Sequence, residues 1–315
     1  MYTRAVPTDL EAARAGDHAA FARLIEPYRR ELRAHCYRMA GTIHDADDLL
    51  QESLVRAWRG LASFEGRASL RTWLYKVTTH ACLDKLDTAS ERAARATREL
   101  VEPCPPELYD TDSSPEQRIT ARESIALAFM VAMQLLTAKQ RAVLILRDVI
   151  GMEASECAEL LDLSVAAVNS ALQRAREAVG EPAASVPDRD PDRDAVVARY
   201  LQAWERADSS ALIGLLRDDA RLAMPPMPDT YVGAAAIGAA IAEMVFAPAG
   251  AGAFKFVAIE ASGEPALALY ERGADGRFHA HAIQFLQIRG GLVADILAFV
   301  DPTLFGRLGV PTTIA

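Results

Sequence analysis

The stretch Asp45-Ala-Asp-Asp-Leu-Leu-Gln-Glu-Ser-Leu-Val-Arg-Ala-Trp58 decides how the front of this chain folds. Leu49, Leu50, Leu54, Ala57 and Trp58 recur at helical spacing on one stripe, while Asp45, Asp48, Glu52 and Arg59 fall elsewhere. That is the pattern of an amphipathic helix with one buried face. Asp45 and Asp48 mark its start, because the positive end of the helix dipole favours carboxylates. The crowding of Asp45, Asp47, Asp48 and Glu52 is explained, taken alone, by helix-start stabilisation plus a solvated face.

Outward from this helix, residues 1–98 read as one all-helical piece, punctuated by Gly16 and Gly41. A further helix is expected from Ser69 to Asp87, after the turn Glu65-Gly-Arg67. Around its start, Phe64, Trp73 and Tyr75 interleave with Arg67, Arg71 and Lys76. Aromatic faces and cations together are what a protein needs to hold a base out of the DNA stack and its phosphates in place. Trp73, Leu74 and Val77 fit a buried helix face equally well.

Two proline-rich acidic segments, 99–116 and 181–194, read as extended, mobile linkers. Between them, 117–180 is helical and ends in a helix-turn-helix pattern: Met152–Leu161, a turn at Asp162-Leu163, and a helix from Val165 to Val179 capped by Ser164. Residues 195–315 change character. Helices are expected at Ala195–Ala207, Ser210–Leu216 and Ala234–Val245, then strands at Phe254–Glu260, Ala266–Glu271, Phe278–Ile288 and Leu292–Val300. Helices followed by a meander give an α+β domain with its sheet wrapped over helices.

Composition narrows the function classes. The 315 residues carry a net charge of −9, but residues 1–98 are net +3 while the two linkers are net −5 (over 99–120) and −3. A nucleic acid feels the local patch within a Debye length of ~8–10 Å, so the acidic average does not exclude DNA. Four scattered cysteines without a Cys-x-x-Cys pair suit a reduced cytoplasmic protein and argue against a zinc finger. The apolar runs are too short to cross a bilayer, no secretory signal opens the chain, and no metal or cofactor is expected.

Three runs in order resemble the extracytoplasmic-function sigma factors of bacteria: Asp45–Trp58, Phe64–Asp84, and Leu136–Arg147 with Ala154–Arg176. The resemblance implies two all-α sigma domains, a region 2 helical bundle and a region 4 helix-turn-helix, which lend promoter recognition to RNA polymerase. It assigns Asp45, Asp47, Asp48, Gln51, Glu52 and Val55 to the polymerase, where acids beside apolar groups would complement a basic coiled coil of the largest subunit. The second-largest subunit and promoter DNA are the other implied partners. An anti-sigma protein or a small ligand is left open. Phe64, Arg67, Ser69, Arg71, Lys76, Thr79 and His80 would melt and read the −10 element. Ser164, Ala166, Asn169, Ser170, Gln173 and Arg174 would read the −35 element, since Asn and Gln pair bidentately with adenine and Arg with guanine or phosphate.

The chain departs from the family pattern in places. Family members often carry Asn near His80 and Asp84; His80 still donates and accepts hydrogen bonds, but Asp84 only accepts and would repel phosphate. Thr-Val-Lys-Ser-Arg is common where this chain has Ala167-Val-Asn-Ser-Ala171, which removes phosphate contacts and weakens the expected salt dependence. Asp162 stands where a turn glycine is usual, a place Asp tolerates better than most residues.

The C-terminal piece resembles the SnoaL-like cone appended to some of these factors, through Arg199–Asp208, Met224-Pro-Pro226 and Gly290–Pro302. The resemblance implies a regulatory role. Asp295, Asp301, Glu260 and Glu271 are the carboxylates a catalytic cone would need. His279 and His281, at i and i+2, are expected on one strand face, where they would line a pocket or hold a metal. No catalytic role is assigned on fold analogy alone. Two rival readings remain at this point: a helix-turn-helix repressor with a ligand-binding cone, and a SnoaL-like isomerase or cyclase fused to a DNA-binding arm.

Overall fold

A computed structural model of the chain describes residues 7–86, 101–108, 126, 130, 133, 136–179, 190–224, 227 and 230–315. They divide into two compact units, Met1–Glu102 with Glu107–Ala183, and Pro103–Pro106 with Ala184–Ala315.

The first unit is helical. Its front is built from α1 (Pro7–Arg14), α2 (His18–Ala40), α3 (Ile43–Gly60) and α4 (Leu70–Leu86). The expected helix start at Asp45 moves back to Ile43, because Thr42 is the cap: its hydroxyl accepts the Asp45 N–H at 3.1 Å. Glu102, from the stretch expected to be a solvated linker, completes this helix end by accepting the Ile43 N–H at 3.0 Å. Leu49, Leu50 and Ala57 are buried as their stripe requires, and each leucine contributes roughly 1.5–3 kcal/mol of apolar burial. Trp58 is half-buried and stacks on His18, with ring centres 4.3 Å apart.

Further along, α5 (Ala138–Leu144) runs on through a π-turn, Ile145–Val149, and is followed by α6 (Ala154–Leu161) and α7 (Val165–Val179). The helix-turn-helix is as read, with α6 starting two residues later than expected. Asp162 takes the left-handed conformation at φ 53°, and Ser164 accepts the Ala167 N–H. Val168, Ala171, Leu172 and Ala175 are the buried face of α7. Arg176 clamps α7 to the π-turn through both oxygens of Asp148, at 2.7 and 2.9 Å.

The second unit is the α+β piece, with α8 (Arg193–Glu205), α9 (Ser209–Ile213) and α10 (Ala234–Ile241) packed against a sheet. Its strands are β1 (Leu216–Ala223), β2 (Thr230–Val232), β3 (Phe254–Ala261), β4 (Glu264–Arg272), β5 (Phe278–Arg289), β6 (Leu292–Phe299) and β7 (Thr313–Ile314). The sheet order is β2-β1-β6-β5-β4-β3, with β7 pairing β5 and only β1–β6 parallel among the described pairs. The four meander strands match the reading. β1 and β2 correct it: Leu216 opens a strand instead of ending a helix. Charged Arg217, Asp218 and Asp219 and a register shift before Arg221 interrupt the alternation that would have revealed β1.

The stretch expected to be a mobile linker contains buried Val101, Cys104 and Leu108. Residues Pro103–Pro106 belong to the second unit. The Cys104 N–H donates to the Ser262 hydroxyl at 3.0 Å, and the Ser262 N–H donates to the Cys104 carbonyl at 2.8 Å. Ser262 and Gly263 turn the β3–β4 hairpin with φ of 52° and 71°, the mirror-image turn geometry that suits a twisted hairpin. Residues 99–100, 109–116 and 181–189 of the expected linkers lie outside the described residues.

Candidate functional site

Three surfaces carry the residues singled out by sequence. The first is a groove of about 610 Å³ between α3 and α4, lined by Asp48, Gln51, Glu52, Val55, Arg56, Ala81, Asp84 and Lys85. Four of the six expected polymerase residues meet here: Asp48, Gln51, Glu52 and Val55, the last 43% exposed. Asp45 and Asp47 do not. Asp45 sits in the first turn and accepts the Thr42 hydroxyl at 2.8 Å. Asp47 lies one residue, hence about 100° of helix rotation, away from Asp48. It faces α2, where both its oxygens take Arg33. Both carboxylates are thus paired within the bundle, outside the groove.

The groove's other wall was not anticipated. Ala81, Asp84 and Lys85 share a face of α4 at i, i+3 and i+4, the one pattern in the sequence that could have disclosed it. Arg56 lies between Glu52 (2.8 Å) and Asp84, and Lys85 reaches Asp48 at 3.6 Å. Three carboxylates thus face two cations, leaving the rim net negative. Asp84, expected to trouble DNA as a misplaced base reader, is turned into this groove instead.

The second surface is the α4 segment expected to melt DNA, and here the structure divides the set. Phe64 is buried and packs on half-buried Trp73, ring centres 5.1 Å apart. Tyr75 is also buried, with its hydroxyl on Glu31 at 3.3 Å. Thr79 is wholly enclosed, 3.0 Å from His35 Nε2. Burial, with a contribution from Arg38, holds the His35 ring neutral by lowering its pKa to about 3. Arg71 forms a bidentate pair with Glu31 at 2.8–3.1 Å. Phe64 and Thr79 therefore correct the expected −10 set, since neither has free surface to offer a base, whereas Arg71, 38% exposed, stays at the surface in its pair with Glu31. Arg67 is 87% exposed beside Glu65. Ser69 caps α4, accepting the Thr72 N–H at 3.0 Å. Lys76 and His80 lie one turn apart on α4, half-buried against the end of α6.

The third surface is α7. Ala166, Asn169, Ser170, Gln173 and Arg174 are all exposed opposite the buried face, with Ser164 at the helix start. Arg174 donates to the Ser170 hydroxyl at 2.6 Å and Gln173 to Glu177 at 2.9 Å, which leaves them pre-ordered on the outer side.

Comparison with known proteins agrees with this layout. The Sigma-70 region 2 model matches residues 24–92, the Sigma-70 region 4 model residues 126–179, and the SnoaL-like domain model residues 197–296. The ECF RNA polymerase sigma factor SigG of Mycobacterium tuberculosis is 38% identical over an alignment covering 96% of this chain and 86% of that protein. The chain is an extracytoplasmic-function sigma factor.

As an alternative sigma factor it directs transcription initiation with core RNA polymerase at promoter DNA. SigJ of M. tuberculosis is 35% identical over 62% of this chain and 61% of its own length. Its crystal structure superposes with a TM-score of 0.62 at 26% identity, covering 92% of this chain and 99% of that one. No helix among the described residues of the sigma factor is long and apolar enough to cross a membrane.

In its SnoaL-like domain, Trp204 stands among Phe246, Phe254 and Phe256 with ring centres 5.2–5.4 Å away, and buried Tyr200 donates to Gln284 at 2.9 Å. None of the four carboxylates considered for catalysis is buried. Asp295 lies 3.8 Å from Arg289, Asp301 caps the turn at Thr303, and Glu271 pairs with His281 at 3.2 Å. His279 and His281, expected on one strand face, take separate carboxylate partners across a bulge in β5. Its register against β4 steps from Ala282 to Ala280, so His281 is the extra residue. His279 pairs with Asp275 at 3.0 Å. No metal-ligating cluster occurs among the described residues.

Proposed function

We propose that the α3/α4 groove docks the largest subunit of core RNA polymerase. Arg67, Ser69, Lys76 and His80 hold the −10 element, α7 reads the −35 element, and the SnoaL-like domain modulates the output. The convergence of Asp48, Gln51, Glu52 and exposed Val55 on one open groove carries the docking assignment: an apolar contact ringed by carboxylates complements a basic, amphipathic partner helix. Groove cations Arg56 and Lys85 would be displaced by those of the partner. In the −10 segment, Arg67 and the N-terminus of α4 offer phosphate contacts, while Lys76 supplies a cation for the strand and His80 a hydrogen-bonding ring for a base. On α7, Asn169, Gln173 and Arg174 present the side chains that read base edges in the major groove.

Run-off transcription with purified core polymerase on a promoter library tests the assignment. Discrete transcripts sharing −35 and −10 elements are expected, and their loss in a Gln51→Arg/Val55→Asp variant that still folds. Transcripts undiminished in that variant would remove the groove from polymerase binding. Deleting residues 184–315 is expected to change transcript yield from the same promoters, and an unchanged yield contradicts the modulating role.

A further inference from the structure

The outward cations of α4 already have an anionic partner within the chain. Lys76 Nζ donates to the Glu159 carbonyl at 3.1 Å and lies 3.5 Å from Asp162 Oδ1. His80 Nε2 donates to the Leu160 carbonyl at 2.8 Å, with Asp162 Oδ2 at 3.8 Å. Glu159 and Leu160 form the last turn of α6, and Asp162 is the helix-turn-helix turn itself. The last carbonyls of a helix have no partner within it and carry the negative end of its dipole. Asp162 adds a full charge beside them, so the end of α6 resembles a phosphate in what it offers a cation.

The same device runs the other way. Arg141 of α5 is wholly buried and donates to the Met39 carbonyl in the last turn of α2, as well as to Met133 and Leu136 of its own region. Each sigma region therefore supplies cations that cap a helix C-terminus of the other. The Arg141 half is buried; the Lys76/His80 half is surface-exposed and cheap to break.

We infer that the −10 face of α4 doubles as the docking surface for the helix-turn-helix of the same chain, with α6 and Asp162 occupying the place of promoter phosphate. The inference rests on the −10 assignment of Lys76 and His80 made above. Region 4 and the promoter then compete for the same two side chains, and this arrangement is a closed form of the protein that must open at Lys76 and His80 before the −10 element is read. Asp162, at a position where glycine would fold with less strain, supplies the competing anion.

Energy transfer between dyes on Ala68→Cys and Ala178→Cys of the full-length protein tests this; the four native cysteines are buried and stay unlabelled. Asp162→Gly preserves the turn while removing the charge, and Lys76→Glu sets two carboxylates against each other. Both are expected to lower transfer efficiency, raising the open-to-closed ratio by up to about fivefold, as fits an exposed pair. Lys76→Glu with Asp162→Lys restores the contact reversed and should restore the transfer. Transfer unchanged in both single variants overturns the docking surface. Run-off transcription at sub-saturating Asp162→Gly protein gives the second readout, with a several-fold rise expected. Lower transfer without that rise leaves the docking surface standing and removes Lys76 and His80 from −10 reading.

Discussion

The two faces of α4 offer a comparison within one helix. Facing α3, the groove keeps Asp48, Gln51 and Glu52 of the polar residues it was assigned, loses Asp45 and Asp47, and gains Asp84, Arg56 and Lys85. Around the −10 segment, two of seven expected residues are taken back by the fold, Phe64 and Thr79, and a third, Arg71, is paired at the surface with Glu31. The difference is chemical. A carboxylate or glutamine flanking a leucine stripe has nowhere to go but the surface, so its role follows from helical phase. An aromatic ring or a threonine is equally at home in a core, and an arginine within reach of Glu31 serves the bundle as readily as DNA. Residue type discriminates on one face and not on the other.

Reversing Asp48 and Glu52 to Arg attacks the first face and carries the largest expected effect, a fall in core polymerase affinity of about a hundredfold or more with helical content unchanged. Like charge is then set against a basic partner, and neither side chain holds up the fold. An unaltered affinity would place docking elsewhere. Thr79→Ala attacks the other face. It leaves His35 Nε2 unpaired in the core and should cost about 1–3 kcal/mol in denaturant unfolding, whereas His80→Ala changes stability little and transcription more. A Thr79→Ala protein of normal stability with altered −10 preference would restore Thr79 to the DNA-reading set.

Acid should expose the same buried pair. His35 is held neutral with a pKa of about 3, against an ordinary value of 6.5. The unfolded chain therefore binds a proton that the native protein refuses between those values. Its contribution to stability is present above about pH 6.5 and is lost as pH falls toward 3, at up to ~1.4 kcal/mol per pH unit. Comparing His35→Gln with the parent protein over this window should show a shallower fall in the variant; parallel curves would mean His35 is protonated in the fold. Smaller still, Arg67→Ala should weaken promoter binding uniformly across sequences and reduce the salt slope by about 1. A change confined to one −10 base would instead make Arg67 a base reader.

Much of the fold was legible because its signals are local. The α3 stripe, the Ser164 cap, the left-handed Asp162 and the meander strands each follow from spacing or turn chemistry within a few residues. β1 was not legible, since its charged middle and register shift hide the alternation and its pairing with β6 is some seventy residues away. Pro103–Pro106 read as a solvated tether because nothing local foretells the two hydrogen bonds to Ser262. The candidate site divides the same way. Gln51, Glu52 and the outer face of α7 follow from phase, whereas Asp84 could be reassigned only once Arg56 and the groove were visible. The burial of Thr79 depends on His35, forty-four residues earlier.

Equilibrium binding of the full-length protein to core RNA polymerase, without DNA, bears most directly on the separation of the two faces. The Asp48→Arg/Glu52→Arg protein should lose binding, while Lys76→Ala/His80→Ala binds at least as well as the parent protein and fails only when a −10 element must be opened. Equal loss of core binding in both variants would contradict the account, because the −10 face would then be part of the polymerase interface.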